Sequence, residues 1–396
     1  DDAFTTAFTV LGPAIESADY QEIPPVNRVT LHFDRPMDRE SFSATEDITS
    51  FIGPQGDITV SEAAWVDDYT LQLNCPEQDV SGPYSLTLSP TFSDIYGNPL
   101  DMDRDGVPGE PEDGYSLSWS TLRHGTITED TTWSVPGGVI RVDGDIRIGH
   151  GATLTVGART TLKFTTPSAG IIVSGGGKLV ADGTPDQPVI FTSIKDDSAV
   201  GDSNGDGDAT SPMAGDWAGI VIEPHGLAEL DGAELRYADR AIDVDHQYSE
   251  ARLSRTTLRD GNFGVYGYTA YAQTVLTDCL ISNNRMTGVF VRTSAVHVLR
   301  NCTIVGNGFG GGGWYGAGIH VGASTVSIEN TIVAFNATGL HHQGDPPQIT
   351  VRNSIFHNPA GEEINWDGDP GRPDLTTNSN LVADPQFVDY TGGDYR

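Results

Sequence analysis

Six stretches decide the fold: Leu230-Asp-Gly-Ala-Glu-Leu235, Leu253-Ser-Arg-Thr-Thr-Leu258, Leu276-Thr-Asp-Cys-Leu-Ile281, Leu299-Arg-Asn-Cys-Thr-Ile304, Ile328-Glu-Asn-Thr-Ile-Val333 and Val351-Arg-Asn-Ser-Ile-Phe356. Their starts lie 23 residues apart, except for a step of 29 between Leu299 and Ile328. A fixed period of this size marks a solenoid, in which each repeat buries its apolar face on its neighbours.

Each repeat runs from an apolar residue through a bend of Asn, Asp or Gly into a short run of period two. Ala233, Thr256, Cys279, Cys302, Thr331 and Ser354 share a column of small residues. Leu235, Leu258, Ile281, Ile304, Val333 and Phe356 form the next inward column, and Ile242, Val265, Val289, Ile319 and Leu340 a third. Short alternating runs separated by Gly and Asn predict strands. A leucine-rich repeat would share the period, but the coil contains no helical segment. Three short strands per turn predict a right-handed, single-stranded parallel β-helix, its coils stacked about 4.8 Å apart. Asn284, Asn307 and Asn336 recur at one place and predict a turn-stabilising ladder. Cys279 and Cys302 fall in adjacent coils with side chains pointing the same way, which favours stacked thiols over a disulfide.

The chain has 396 residues, 37% of them hydrophobic and 19% charged, enough for a sizeable core and two domains. Its 22 basic and 55 acidic residues give a formal charge of −33. Such a surface repels nucleic acid and anionic membranes and suits cation binding or a salty habitat. No apolar run approaches the length of a membrane span, and the opening Asp1-Asp2-Ala3-Phe4 carries no signal-peptide pattern.

Residues 1–122 hold short alternating runs: Arg28–Phe33, Asp57–Val60, Tyr69–Leu73, Tyr84–Leu88 and Tyr115–Trp119. That spacing predicts an all-β N-terminal sandwich, with the β-helix occupying 123–396. Phe33-Asp-Arg-Pro-Met-Asp38 with Ser41-Phe42, and Asp94-Ile-Tyr-Gly-Asn-Pro-Leu-Asp101, resemble the bacterial immunoglobulin-like (Ig-like) modules of surface and secreted proteins. The resemblance implies a spacer, adhesive or presenting module without chemistry of its own. The run from Gly151 through Asp216-Trp217-Ala-Gly-Ile220 is similar to the opening coils of secreted bacterial β-helix proteins, a scaffold that hosts lyases, hydrolases, adhesins and plain surface proteins.

Two acidic loops predict calcium. In the first, Asp101, Asp103 and Asp105 stand at alternate positions before Gly106, with Val107 at the carbonyl position and Glu112 at the twelfth. Pro108 and Pro111 oppose flanking helices, so this is not an EF-hand domain. In the second, Asp202, Asn204, Asp206 and Asp208 alternate in the same way, and a distal ligand must come from elsewhere.

A further strip could carry function. Beside the third apolar column, Asp243, Tyr266, Phe290, His320 and His341 point the other way. Two residues on come Asp245, Tyr268, Arg292 and Gln343. Together they predict an exposed band, with Trp314 and Tyr315 in a glycine-rich loop overhanging it. Aromatic faces beside polar groups suit sugar rings. Asp243, Asp245, Tyr268, Arg292 and His320 are the candidates if the band is catalytic. A paired-carboxylate hydrolase or a polysaccharide lyase are the two chemistries it could carry. Only Lys163, Lys178 and Lys195 supply lysine, and none maps to the band.

The tail, Asn378–Asp389 followed by Gly392–Arg396, resembles the last coil of bacterial β-helix surface proteins, and an open end there predicts a covering domain or end-to-end self-association. The expectation is a secreted or cell-surface protein, calcium-stabilised, structural or adhesive, binding an extracellular polysaccharide or surface glycan. The alternative is a carbohydrate-active enzyme. Nucleic-acid partners are not expected.

Overall fold

The structure is a computed structural model whose description covers residues 11–21, 25–78, 83–121, 123–293, 295–310, 316–345, 347–368, 371–390 and 392–395. The chain divides into two compact units, Asp1–Arg123 and His124–Arg396.

The first unit is built from two four-stranded antiparallel sheets. One orders Ile15–Tyr20, Val26–Phe33, Thr70–Gln78 and Glu62–Asp67; the other orders Gly56–Asp57, Ile48–Gly53, Pro83–Leu88 and Tyr115–Ser120. Alternation aims Val29, Leu31 and Phe33 of one sheet, and Tyr84, Leu86 and Leu88 of the other, into one shared core. Trp119 stacks on Tyr84 within it, centroids 5.3 Å apart. The run Asp57–Val60 contributes only the two-residue strand Gly56–Asp57. Ile15–Tyr20 and Glu62–Asp67 are edge strands without clean alternation, which is why pattern alone passes over them.

The second unit winds through three parallel sheets, and the predicted columns pair in register. Leu230, Leu253, Leu276, Leu299, Ile328 and Val351 lie side by side in a nine-stranded sheet. The Leu235 to Phe356 column and the Ile242 to Leu340 column pair equally well. All three columns are buried. Each such side chain contributes about 1.5–3 kcal/mol by leaving water. Among the described residues no helix is long and apolar enough to cross a membrane.

One-residue corners turn the chain between sheets. Gly232, Arg255, Asp278, Asn301, Asn330 and Asn353 all adopt φ between +49° and +56°. This left-handed conformation is costly for most side chains but tolerated by Gly, Asn and Asp, hence the bend residues of the repeat. Inside the coil, Asn284, Asn307, Asn336 and Asn358 form a ladder, each amide donating to the next Oδ1 at 3.0, 2.9 and 3.1 Å. The ladder ends on Glu363, which accepts from the Asn358 amide at 2.7 Å. Cys75, Cys279 and Cys302 are free and buried. The Cys279 thiol donates to the Leu253 and Thr277 carbonyls.

Two irregular segments leave the coil. The loop 195–216 covers Lys163, whose Nζ donates to the Gly201 carbonyl at 2.7 Å. The tail adds one short strand, Leu381–Val382, beside Ile355–Phe356, then does not continue as a coil. It folds back along the flank, where Tyr390 stacks on Phe335 at 4.3 Å and the Asn283 side chain hydrogen-bonds to Tyr395. Leu381 and Val382 themselves remain exposed.

Candidate functional site

The band from Asp243 to His341 pairs residue by residue as the sequence predicts. It is not, however, an open groove. Phe290 and His320 are buried, at 2% and 0% exposure, and Asp243 at 6%. The rings close the face by packing on one another: Tyr266 on Phe290 at 5.0 Å, Phe290 on His320 at 4.7 Å, and His320 edge-on to His341 at 4.8 Å. Burial lowers the His341 pKa. Asp243 accepts from Arg240 at 2.8 Å, and that guanidinium lies 3.9 Å over the Tyr266 ring. The outer row is more open. Tyr268 is exposed, with the Arg292 guanidinium 5.1 Å over it. Asp245 accepts from the Tyr268 amide, and burial and the nearby Asp243 raise its carboxyl above the usual range. Trp314 and Tyr315 lie outside the described residues.

A different face holds a cleft of about 700 Å³. Its floor is the outward side of the sheet that carries Leu235 and Leu258 inward: Glu234, Thr257, Arg259 and Leu280, with Asp260 and Asn283 at the corners. Its opposite wall is the returning tail, with Tyr390 and Tyr395. Arg259 donates to Glu234 at 2.5 Å and also binds Asp260. Arg236 reaches Glu234 at 2.7 Å and Asp196 of the long loop at 3.0 Å. Burial alone would raise the Glu234 carboxyl. The hydrogen bond from Arg236 and the charges of Arg236 and Arg259 win, and hold it below its ordinary value. Glu234 is therefore an ionised acceptor at neutral pH and not a proton donor. Burial raises the Tyr390 and Tyr395 hydroxyls, so both rings stay neutral. The arrangement offers aromatic surface on one side and hydroxyl-binding carboxylates on the other.

The acidic loops gather different residues from those their spacing suggests. In the first, carboxylate oxygens of Asp101, Asp103 and Asp113 lie within 4.8 Å of one another. Asp105 instead accepts from the Val107 amide at 2.8 Å, and Glu112 points into solvent. In the second, Asp202 and Asp206 are joined by Asp197. The Asn204 oxygen is shielded from solvent without a hydrogen-bond partner among the described residues. Asp208 stands apart from that group and is exposed. Asp113 and Asp197 each lie outside the alternating run, so only the backbone's turn brings them in. The short helical turn Pro111–Asp113 does this for Asp113.

A family model described as a right-handed β-helix region matches residues 218–380, and one described as a pectate-lyase-like β-helix domain matches residues 125–236. The chain is a parallel β-helix repeat protein. The two matches overlap over residues 218–236, so Glu234 falls in both and Arg259 and Asp260 in the first. No curated protein matches this β-helix chain.

Proposed function

We propose that this β-helix is an extracellular or cell-surface protein that binds a neutral polysaccharide in the flank cleft and holds it without cleaving it. The observation that carries this is the pairing of Tyr390 and Tyr395 with a floor of Glu234, Arg259 and Asp260. Sugars present apolar ring faces to aromatic side chains and hydroxyls to charged acceptors. The arginines are already committed to carboxylates, which disfavours an anionic chain and leaves hydroxyl donors as the matching ligand. The pectate-lyase-like match supports a polysaccharide as the class of ligand. In this reading the first unit serves as an Ig-like presenting module, which its shared two-sheet core supports. A hard cation such as calcium would fit the Asp197, Asp202 and Asp206 group and brace the loop that reaches the cleft through Asp196.

A second reading, a lyase or hydrolase at the open edge of the aromatic band, is favoured by the raised Asp245 carboxyl beside Tyr268 and Arg292. One experiment separates the two. The full chain is incubated with neutral and uronate-rich polysaccharides, with calcium and without, while retention and the release of reducing or unsaturated ends are followed together. Retention on neutral chains without product is the expected result. Product lost in Arg292→Ala would establish the enzyme, and neither retention nor product on any polysaccharide would overturn both.

A further inference from the structure

The first acidic loop contains an atom that the rest of the fold leaves unexplained. Asp101 is fully buried, at 0% exposure. Its Oδ2 accepts from the Gly12 amide at 3.1 Å, while its Oδ1, shielded from solvent, has no hydrogen-bond partner among the described residues. Burying an ionised oxygen with nothing to neutralise it is expensive. Two more carboxylates make the position worse. Asp113 is also buried, and Asp103 completes the group within 4.8 Å. Among the described residues no basic side chain pairs with any of the three: the nearest arginine in sequence, Arg104, turns away to Asp34 at 3.0 Å. Asp113 itself is fixed by the Gly109 and Glu110 amides, each donating to Oδ2 at 3.0 Å. Three converging carboxylates, one with a buried orphan oxygen, form a rigid oxygen cradle for a hard cation.

We propose that Asp101, Asp103 and Asp113 bind one calcium ion, and that this ion fastens the segment around Gly12 to the 101–114 loop. Calcium takes six to eight oxygens at about 2.3–2.6 Å and tolerates irregular geometry, so water and backbone oxygens can complete the shell. Magnesium dehydrates reluctantly and needs a near-ideal octahedron, which a buried aspartate pair does not favour. The fastening follows from Asp101, which joins both segments. Besides accepting from Gly12, it donates its own amide to the Pro13 carbonyl at 2.9 Å. This ligand set differs from the one the alternating spacing predicts, because Asp113 replaces Asp105 and Glu112.

That difference makes the site testable. The full chain, freed of metal with a chelator, is titrated calorimetrically with calcium chloride, and its melting is followed with and without calcium. Asp113→Asn is expected to lose one equivalent of bound calcium relative to the unaltered chain. Asp105→Asn and Glu112→Gln are expected to keep it. Asp101→Asn retains an oxygen for the Gly12 amide. It should melt no lower than the unaltered chain without calcium, lose the same equivalent, and gain less when calcium is added. If Asp113→Asn does not fold, Asp101→Asn decides alone. Calcium held by the other acidic loop leaves these differences untouched. Unchanged stoichiometry in Asp101→Asn, or a loss in Glu112→Gln equal to that in Asp113→Asn, would overturn the proposal.

Discussion

Two faces of the solenoid carry aromatic and charged residues, and they behave in opposite ways. On the face from Asp243 to His341 the outward residues of successive coils stack on each other until Phe290 and His320 are sealed. On the flank that starts at Glu234 the outward residues carry charge and shorter side chains, and the tail stands off from them to leave a cleft. The same rule of coil stacking produces both. Where equivalent positions are large rings, stacking closes the face. Where they alternate between ions and small residues, an overlying segment cannot close on them without desolvating paired charges. A column of aromatics in a solenoid is thus packing unless something keeps the rings apart.

The largest expected effect tests the sealed face. Phe290→Ala should cost about 3–5 kcal/mol, as for other buried aromatics, measured by chemical denaturation. Polysaccharide retention below the melting temperature should not change. Retention lost with stability intact would instead make the aromatic band the ligand site.

The next two effects depend on pH and separate coil from cleft. His297 is buried in the coil, and neither of its ring nitrogens has a hydrogen-bond partner among the described residues. Burial lowers its pKa to about 3. The unfolded chain, with an ordinary histidine near 6.5, takes up a proton first. Its contribution to stability is therefore complete above about pH 6.5 and falls as pH drops toward 3, by up to roughly 5 kcal/mol. His297→Leu should flatten denaturation midpoints across that window. Glu234 titrates lower. Its carboxyl is held below the ordinary value, so its contribution is present above about pH 4.5 and lost as pH falls through its folded pKa. Glu234→Ala removes one carboxylate from Arg236, which keeps Asp196, and one from Arg259, which keeps Asp260, and should cost about 2 kcal/mol at neutral pH. It should also reduce the acid sensitivity below about pH 4.5, leaving in place the histidine window and the contributions of other paired carboxylates such as Glu229 and Asp231. A loss of both windows together would mean that the cleft and the coil do not titrate independently.

The smallest effect belongs to the open edge of the band. Tyr268→Ala should shift stability by about 0.5 kcal/mol or less, since its ring is exposed and its main partner is Arg292. A larger shift would extend the sealed face to that row.

These residues show what a repeat sequence makes legible. Register was readable, because a period of 23 residues places Leu253 beside Leu276, and the 24-residue step from Val265 to Val289 carries Tyr266 to Phe290, whatever the side chains do. The asparagine ladder was readable up to Asn336. Its last rung was not, because Asn358 follows by 22 residues and Glu363 belongs to no column. Exposure was not readable at Phe290 or His320, since it depends on how neighbouring rings fill a face and not on which way a strand points. Asp113 escaped the alternating pattern because a helical turn doubles the chain back toward Asp101. The cleft escaped altogether. Its floor spans three coils and its wall is a tail whose sequence resembles another coil, so no local spacing connects Tyr395 to Asn283.

The most direct test compares the two faces with one tyrosine from each. Retention of the full chain on neutral polysaccharide would be measured beside Tyr395→Ala and Tyr268→Ala. Losing one stacked ring at a binding site is worth on the order of 1.4 kcal/mol, or about tenfold in affinity. Binding in the cleft predicts about tenfold weaker retention for Tyr395→Ala and none of that loss for Tyr268→Ala. Weakened retention in Tyr268→Ala with Tyr395→Ala unaffected would contradict it.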